Sequence, residues 1–233
     1  MDDVCIYTAI DPLYRSTPFE YTTSLIQLHK PIKHGVVGCA DPSPMSNRNM
    51  GFNIALQAGY TWLACIDASV IVYPGWLERL ESIHNKYKAE GQVVGCVGSL
   101  LVTTNFPHLP QAWTFDADYK EITVCSDLVG NSEVDEVRKV DALALGATLW
   151  HLPTIAQLIP APLWGLRLDN IWYGNEFLRG FALMKKAGIA AYLDPVRPVT
   201  QLSMAPTVAR AWADGKAYIA RSIALDKAGE AGV

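Results

Sequence analysis

The feature that most constrains this chain is a continuous apolar run, "WLACI" at 62–66, that ends on one carboxylate, Asp67. A strand with one wet face alternates apolar and polar residues; an unbroken run fits a strand buried on both faces, as in an open α/β sheet. The surroundings repeat that rhythm. "VCIYTAI" (4–10) and "HGVVGCA" (34–40) read as strands, with "PFEYTTSLIQLHK" (18–30) as a helix between them. "SNRNMGFNIALQAG" (46–59) reads as a helix capped by Ser46, with Met50 and Ile54 sharing a face and Gly59 closing it. "PGWLERLESIHNKYK" (74–88) aligns Trp76, Leu80, Ile83 and Tyr87 in one stripe, and "QVVGCVGSLLV" (92–102) is a further strand. The alternation predicts an α/β fold with a doubly wound, mostly parallel sheet flanked by helices.

The second half is less regular. Residues 104–139 read as a loop-rich excursion holding a hairpin. "VDALALGATLW" (140–150) returns to an apolar run, "NEFLRGFALMKKAG" (175–188) is a helix ending at Gly188, and "AAYLDP" (190–195) is a short strand. The tail, 207–233, reads as helical. No repeat or linker divides the 233 residues, so one domain is expected: a nucleotide-binding half (1–103), an acceptor-side half (104–206) and the tail.

Composition excludes several classes. Half the residues are hydrophobic and the formal net charge is −4. The most basic segment, "LHKPIKH" (28–34), is too small to be a nucleic-acid footprint. No apolar stretch reaches transmembrane length, and "MDDVCIY" lacks the features of a signal peptide. The five cysteines are scattered without metal-ligand spacing and read as reduced core thiols, which fits a cytoplasmic protein.

Ligands of open α/β sheets bind beyond the carboxyl ends of the strands. Asp67 stands at such an end, as do Thr8 and Asp11 after the first strand. Arg48 and Asn49 begin a helix, where backbone N–H groups favour an anion and the arginine adds a two-pronged phosphate donor. Together they outline a nucleotide site. A literal DxD, Asp116 and Asp118 in "FDADYKE", lacks a preceding apolar strand and reads as a solvated loop rather than a metal site. His84 and His151 read as packed or surface residues. Trp172 and Tyr173 suit either a sugar-stacking platform or core packing.

The run "NRNMGFNIALQAGYTWLACIDASVIVYPGWLERL" (47–80) resembles the core of family 2-type, GT-A-fold glycosyltransferases: an "RN" at a helix start, an apolar strand ending in DxD, then a proline and a "wLerL" helix. "VDALALGATLWHL" (140–152) resembles the segment carrying the acceptor-side glycine, here Gly146. "WYGNEFLRGFALMKKAGIAAYLDPVRPVTQL" (172–202) resembles the "gEDvdlclRlrkaGyriyvdp…H" segment. The resemblance implies that Arg48 and Asn49 contact a nucleoside diphosphate and that Asp67 binds ribose or metal. It places Asn175 and Glu176 at the acceptor-side carboxylate segment, with Glu176 on the glutamate of "ED".

The chain departs from the family at three positions. Ser69 replaces the second aspartate of the DxD, Phe177 the aspartate that serves as catalytic base, and Gln201 the metal-ligating histidine. The resemblance therefore implies a glycosyltransferase acting on a uridine-based nucleotide-sugar and an acceptor hydroxyl. Mn²⁺ or Mg²⁺ would be held by Asp67, with Gln201 as a weak further ligand, and Glu176 would stand in as base. The alternative is an inert GT-A-like protein that binds a nucleotide or glycan. A dinucleotide oxidoreductase is disfavoured, because no GxGxxG follows the first strand.

Overall fold

The computed structural model describes residues 3–8, 44–67, 70–103, 112–119, 122–125, 136–158, 163–165, 167–168, 171–172 and 176–201. The expected helix at 18–30, the strand at 34–40 and the helical tail lie outside them, as do Asp11, Ser69, Tyr173 and Asn175.

Along the chain come β1 (Val4–Tyr7), α1 (Pro44–Gln57), β2 (Trp62–Ile66), β3 (Val70–Ile71), α2 (Trp76–Ala89), β4 (Val94–Thr103), β5 (Ala112–Phe115) and β6 (Ile122–Val124). Then follow β7 (Arg138–Val140), β8 (Ala142–Leu143), β9 (Ala147–His151), α3 (Leu152–Ile155), β10 (Arg167–Leu168), β11 (Ile171–Trp172), α4 (Glu176–Lys186) and β12 (Ala190–Gln201). The main sheet is seven-stranded, in the order β1-β2-β9-β4-β12-β3, with β7 also paired to β12. β1, β2, β4 and β12 share one direction; β9, β3 and β7 oppose it. The shared direction is the one that strand–helix alternation predicts. The antiparallel wedge of β9 between β2 and β4 has no signature in local sequence.

The continuous apolar run behaves as expected. Leu63 and Cys65 of β2 face one core, with Phe52 and Ala55 of α1, Leu152 of α3 and Phe181 of α4. Trp62, Ala64 and Ile66 face the other, with Trp76, Leu77, Leu80 and Ile83 of α2. Successive residues of a strand point to opposite faces, so helices on both sides demand apolar side chains at every position. No helix among the described residues is long and apolar enough to cross a membrane.

Helix α2 carries the expected stripe, and Tyr87 at its end stacks on Tyr192 of β12 at 3.8 Å. Helices α1 and α4 both end as predicted. Gly59 and Gly188 adopt φ of 76° and 73°. Each terminus closes with paired turns, Tyr60 N–H to Ala55 O and Ile189 N–H to Met184 O. Helix α1 differs at its start. It begins at Pro44, so Ser46 lies inside it, and Arg48 and Asn49, expected to begin the helix, lie in its second turn. Phe52 and Ala55 are buried, whereas Ile54 is 40% exposed. The i, i+4 pair Met50–Ile54 is apolar, but Gly51 is the residue that seats on the sheet, and this turns the helix by one position.

The 104–139 excursion does hold a hairpin, β5–β6, which joins β8 in a separate three-stranded sheet. Asp141 pins that sheet to α4: its Oδ2 accepts the N–H of Phe115 (2.8 Å) and Lys185 Nζ (2.7 Å).

The expected short strand at 190–195 is instead the long β12. It runs through Pro195 and Pro198, and its register with β4 shifts between Asp194 and Val199. Proline cannot donate to a ladder, so the chain bulges there. The bulge is anchored by Asp194, fully buried, whose carboxylate takes Arg79 of α2 through both Nε and Nη2 and also accepts the N–H of Val196. Arg79 keeps a third of its side chain exposed. Removing either partner is therefore not equivalent. Arg79→Met strands a buried carboxylate and is expected to cost about 3–5 kcal/mol, lowering Tm by about 10 °C. Asp194→Asn leaves an arginine that can reach water and should cost clearly less; thermal unfolding of both variants checks the order.

Candidate functional site

The strands that share a direction all end at one edge of the sheet, and there the predicted residues gather. Thr8, 1% exposed, follows β1, and Asp67 follows β2. β9 runs the other way, so its start, with Gly146 just before it, lies at the same edge. Gln201 ends β12 opposite Val70 of β3 and Thr103 of β4. The backbone therefore brings Gln201 beside the segment that follows Asp67.

Asp67 is fixed from two sides. Its N–H donates to Gly146 O at 3.0 Å, and its C=O accepts the N–H of Val70 at 2.9 Å. A Cβ on residue 146 would stand 2.5 Å from Asp67 Oδ2 and 2.8 Å from its Cγ. Gly146 is thus the floor on which the carboxylate lies, and this close approach gives the glycine a physical reason separate from any acceptor-side role.

Arg48 approaches from α1. Its Nη2 is 3.9 Å from Asp67 Oδ1, with the side chains 13% and 30% exposed. The helix comes this close because Gly51 rests on the ring of Tyr7, where a Cβ would meet Cδ2 at 2.5 Å. Arg48 is one turn earlier on the same face.

Asn49 is engaged elsewhere. Its Nδ2 donates to Trp164 O and its Oδ1 accepts Trp164 N–H, both at 3.0 Å. Trp164 is fully buried in an aromatic box with Phe52 (5.1 Å), Trp150 (5.2 Å) and Phe181 (6.4 Å). Gly180 of α4 admits that indole, since a Cβ there would touch it at 2.6 Å. Sequence reading missed Gly51, Trp164 and Gly180. The clasp joins residues 115 apart, and no local periodicity reports such a pair.

Trp172 pairs with Arg167 in the separate ribbon β10–β11, and Glu176 opens α4. Asp116 and Asp118 lie in the turn after β5, in the small sheet rather than at the carboxyl edge of the main one. Cys65, beneath Asp67, is fully packed; burial pushes its thiol far up, so it is inert at neutral pH. Cys5, Cys65, Cys96 and Cys125 are free of disulfides.

A divalent cation fits this donor set poorly. Mg²⁺ and Mn²⁺ seek hard oxygen ligands. Ser69 and Gln201, the two positions expected to add ligands, carry a neutral hydroxyl and an amide. Among the described residues, no group of three or more His, Cys, Asp or Glu side chains could hold a metal. The guanidinium of Arg48 does reach Asp67, at 3.9 Å. A dication about 4 Å from that guanidinium would meet roughly 8 kcal/mol of repulsion at a surface-like effective dielectric.

The two central histidines sit at the opposite end of β2. His84, His151 and Trp62 form one cluster, with ring centroids 4.7–4.9 Å apart. Burial, then the neighbouring His84 and Lys88, lowers the pKa of His151 from 6.5 to about 4. Burial lowers that of His84 as well. Neutral rings are therefore favoured when folded. The unfolded chain binds more protons between pH 6.5 and about 4, so stability is complete above that window and falls as pH drops through it. Tm should decline from pH 7 to pH 5, and His151→Gln should flatten the decline; an unchanged slope would contradict the assignment.

Gly146→Ala must displace the Asp67 carboxylate, which can swing toward solvent. Stability should fall by less than about 1.5 kcal/mol, which denaturant melts of the variant check.

No protein-family model matches the chain, and no curated protein matches its sequence. Its structure is similar to A197 from STIV (TM-score 0.51, 13% identity), covering 86% of this chain and 94% of that one. It is similar to GalNAc-T7, solved with UDP, GalNAc and Mn²⁺ (TM-score 0.51, 13% identity), over 86% of this chain and 44% of that one. It is also similar to S. aureus TarS 1–349 (TM-score 0.50, 10% identity), over 87% of this chain and 60% of that one. The chain thus spans about half the length of the last two. The fold is GT-A-like, a mixed α/β sheet with helices on both faces.

Proposed function

We propose that this chain is a glycosyltransferase, of family 2 type, that moves a sugar from a uridine nucleotide-sugar donor to an acceptor hydroxyl. The observation that carries the reading is the Arg48–Asp67 pair seated over Gly146 at the carboxyl edge of a GT-A-like sheet. The nucleotide-sugar class is supported by GalNAc-T7, a structural neighbour solved with UDP and GalNAc.

Each residue has a chemical task in this reading. Arg48 offers paired N–H donors to the diphosphate, whose charge grows as the glycosidic C–O bond breaks. The acceptor oxygen forms the new bond to the anomeric carbon, and its proton passes to the carboxylate of Glu176. Glu176 opens α4, and α4 packs through Gly180 on Trp164, which Asn49 clasps beside Arg48. Donor and acceptor halves therefore share one rigid joint. Asn49 serves that joint rather than the nucleotide.

The second reading, a binding protein without transfer activity, is favoured by Phe177, which cannot take a proton where the family carries its base. One substitution divides the two. Glu176→Gln should keep fold and UDP binding while lowering sugar transfer by about 100-fold or more. A nucleotide-sugar screen that detects neither transfer nor donor hydrolysis, with UDP binding intact, leaves the binding protein.

A further inference from the structure

We infer that Arg48, steadied by Asp67, is the counter-charge for the donor diphosphate, so that ligand binding at this edge needs no divalent cation. The inference rests on the donor-site reading above and adds how the anion is held.

Two contacts frame the Asp67 carboxylate. Oδ1 faces the guanidinium of Arg48 at 3.9 Å, and Oδ2 lies over Gly146. A cation gripping either oxygen would have to displace Arg48 or lift the carboxylate from its floor. Ser69 and Gln201, the positions expected to add ligands, carry no charge. The guanidinium, in contrast, is already placed. It is 13% exposed, and its helix is locked by Gly51 on Tyr7 and by the Asn49–Trp164 clasp. A preorganised planar fork binds phosphate oxygens in pairs without the ordering cost of a mobile side chain. Asp67 then acts as a positioning residue for Arg48 rather than as a metal ligand.

Calorimetry on the full chain tests this with two probes, inorganic pyrophosphate and UDP, each in EDTA and in excess Mn²⁺. Affinity for both is expected to agree within about twofold between the two conditions. Arg48→Gln should weaken both by about tenfold or more in EDTA, and Asp67→Asn by a smaller factor. Ser69→Asp should confer a Mn²⁺ dependence that the natural chain lacks. Binding that appears only with Mn²⁺, or that survives Arg48→Gln unchanged in EDTA, overturns the inference and leaves the glycosyltransferase reading in place. Pyrophosphate bound through Arg48 with no nucleotide bound in either condition supports the inference and overturns the nucleotide-sugar reading. No binding of either probe in any condition overturns both.

Discussion

The site depends on how closely helix α1 can approach the sheet. Gly51 sits on the ring of Tyr7 at a distance that a single methyl would forbid. That contact fixes the height and rotation of the helix. One turn earlier it brings Arg48 to Asp67. One residue later it drives Phe52 into the aromatic box of Trp150 and Trp164. Interiors are packed densely enough that such an approach has no slack. A larger residue at 51 would therefore lift the cationic side of the site together with its apolar footing.

A second close approach answers the first. Gly146 lets the carboxylate of Asp67 lie down on the start of β9. The two glycines thus bring a cation and an anion together from opposite layers. Away from this edge, charge has a structural task. Asp194 and Arg79 tie α2 to the bulge of β12, and Asp141 and Lys185 tie the small sheet to α4. These pairs hold elements that apolar packing alone would leave free to slide.

The aromatic box links the two halves of the molecule. Trp164 belongs to an irregular segment, yet it is held by Asn49 of α1, covered by Phe181 and admitted by Gly180 of α4. One indole and one carboxamide therefore tie α4, which begins at Glu176, to α1.

The sequence by itself determined the layered α/β class. The unbroken run at 62–66 forces burial on both faces, and the stripe Trp76–Leu80–Ile83 forces a covering helix. It also determined both helix ends at Gly59 and Gly188, because the left-handed turns there disfavour side chains. The placement of Asp67 as a site candidate was legible, since a strand end is a local feature, whereas Arg48, expected at a helix start, lies in the second turn of α1. Only the tertiary structure decided that β9 runs antiparallel between β2 and β4, that β12 continues past two prolines, and that Ile54 faces outward. Only it decided that Asn49 is engaged with Trp164 and that Gly146 supports Asp67. Each of these is a contact between residues far apart in the chain, settled by how close two backbones can come, and local propensity carries no record of that distance.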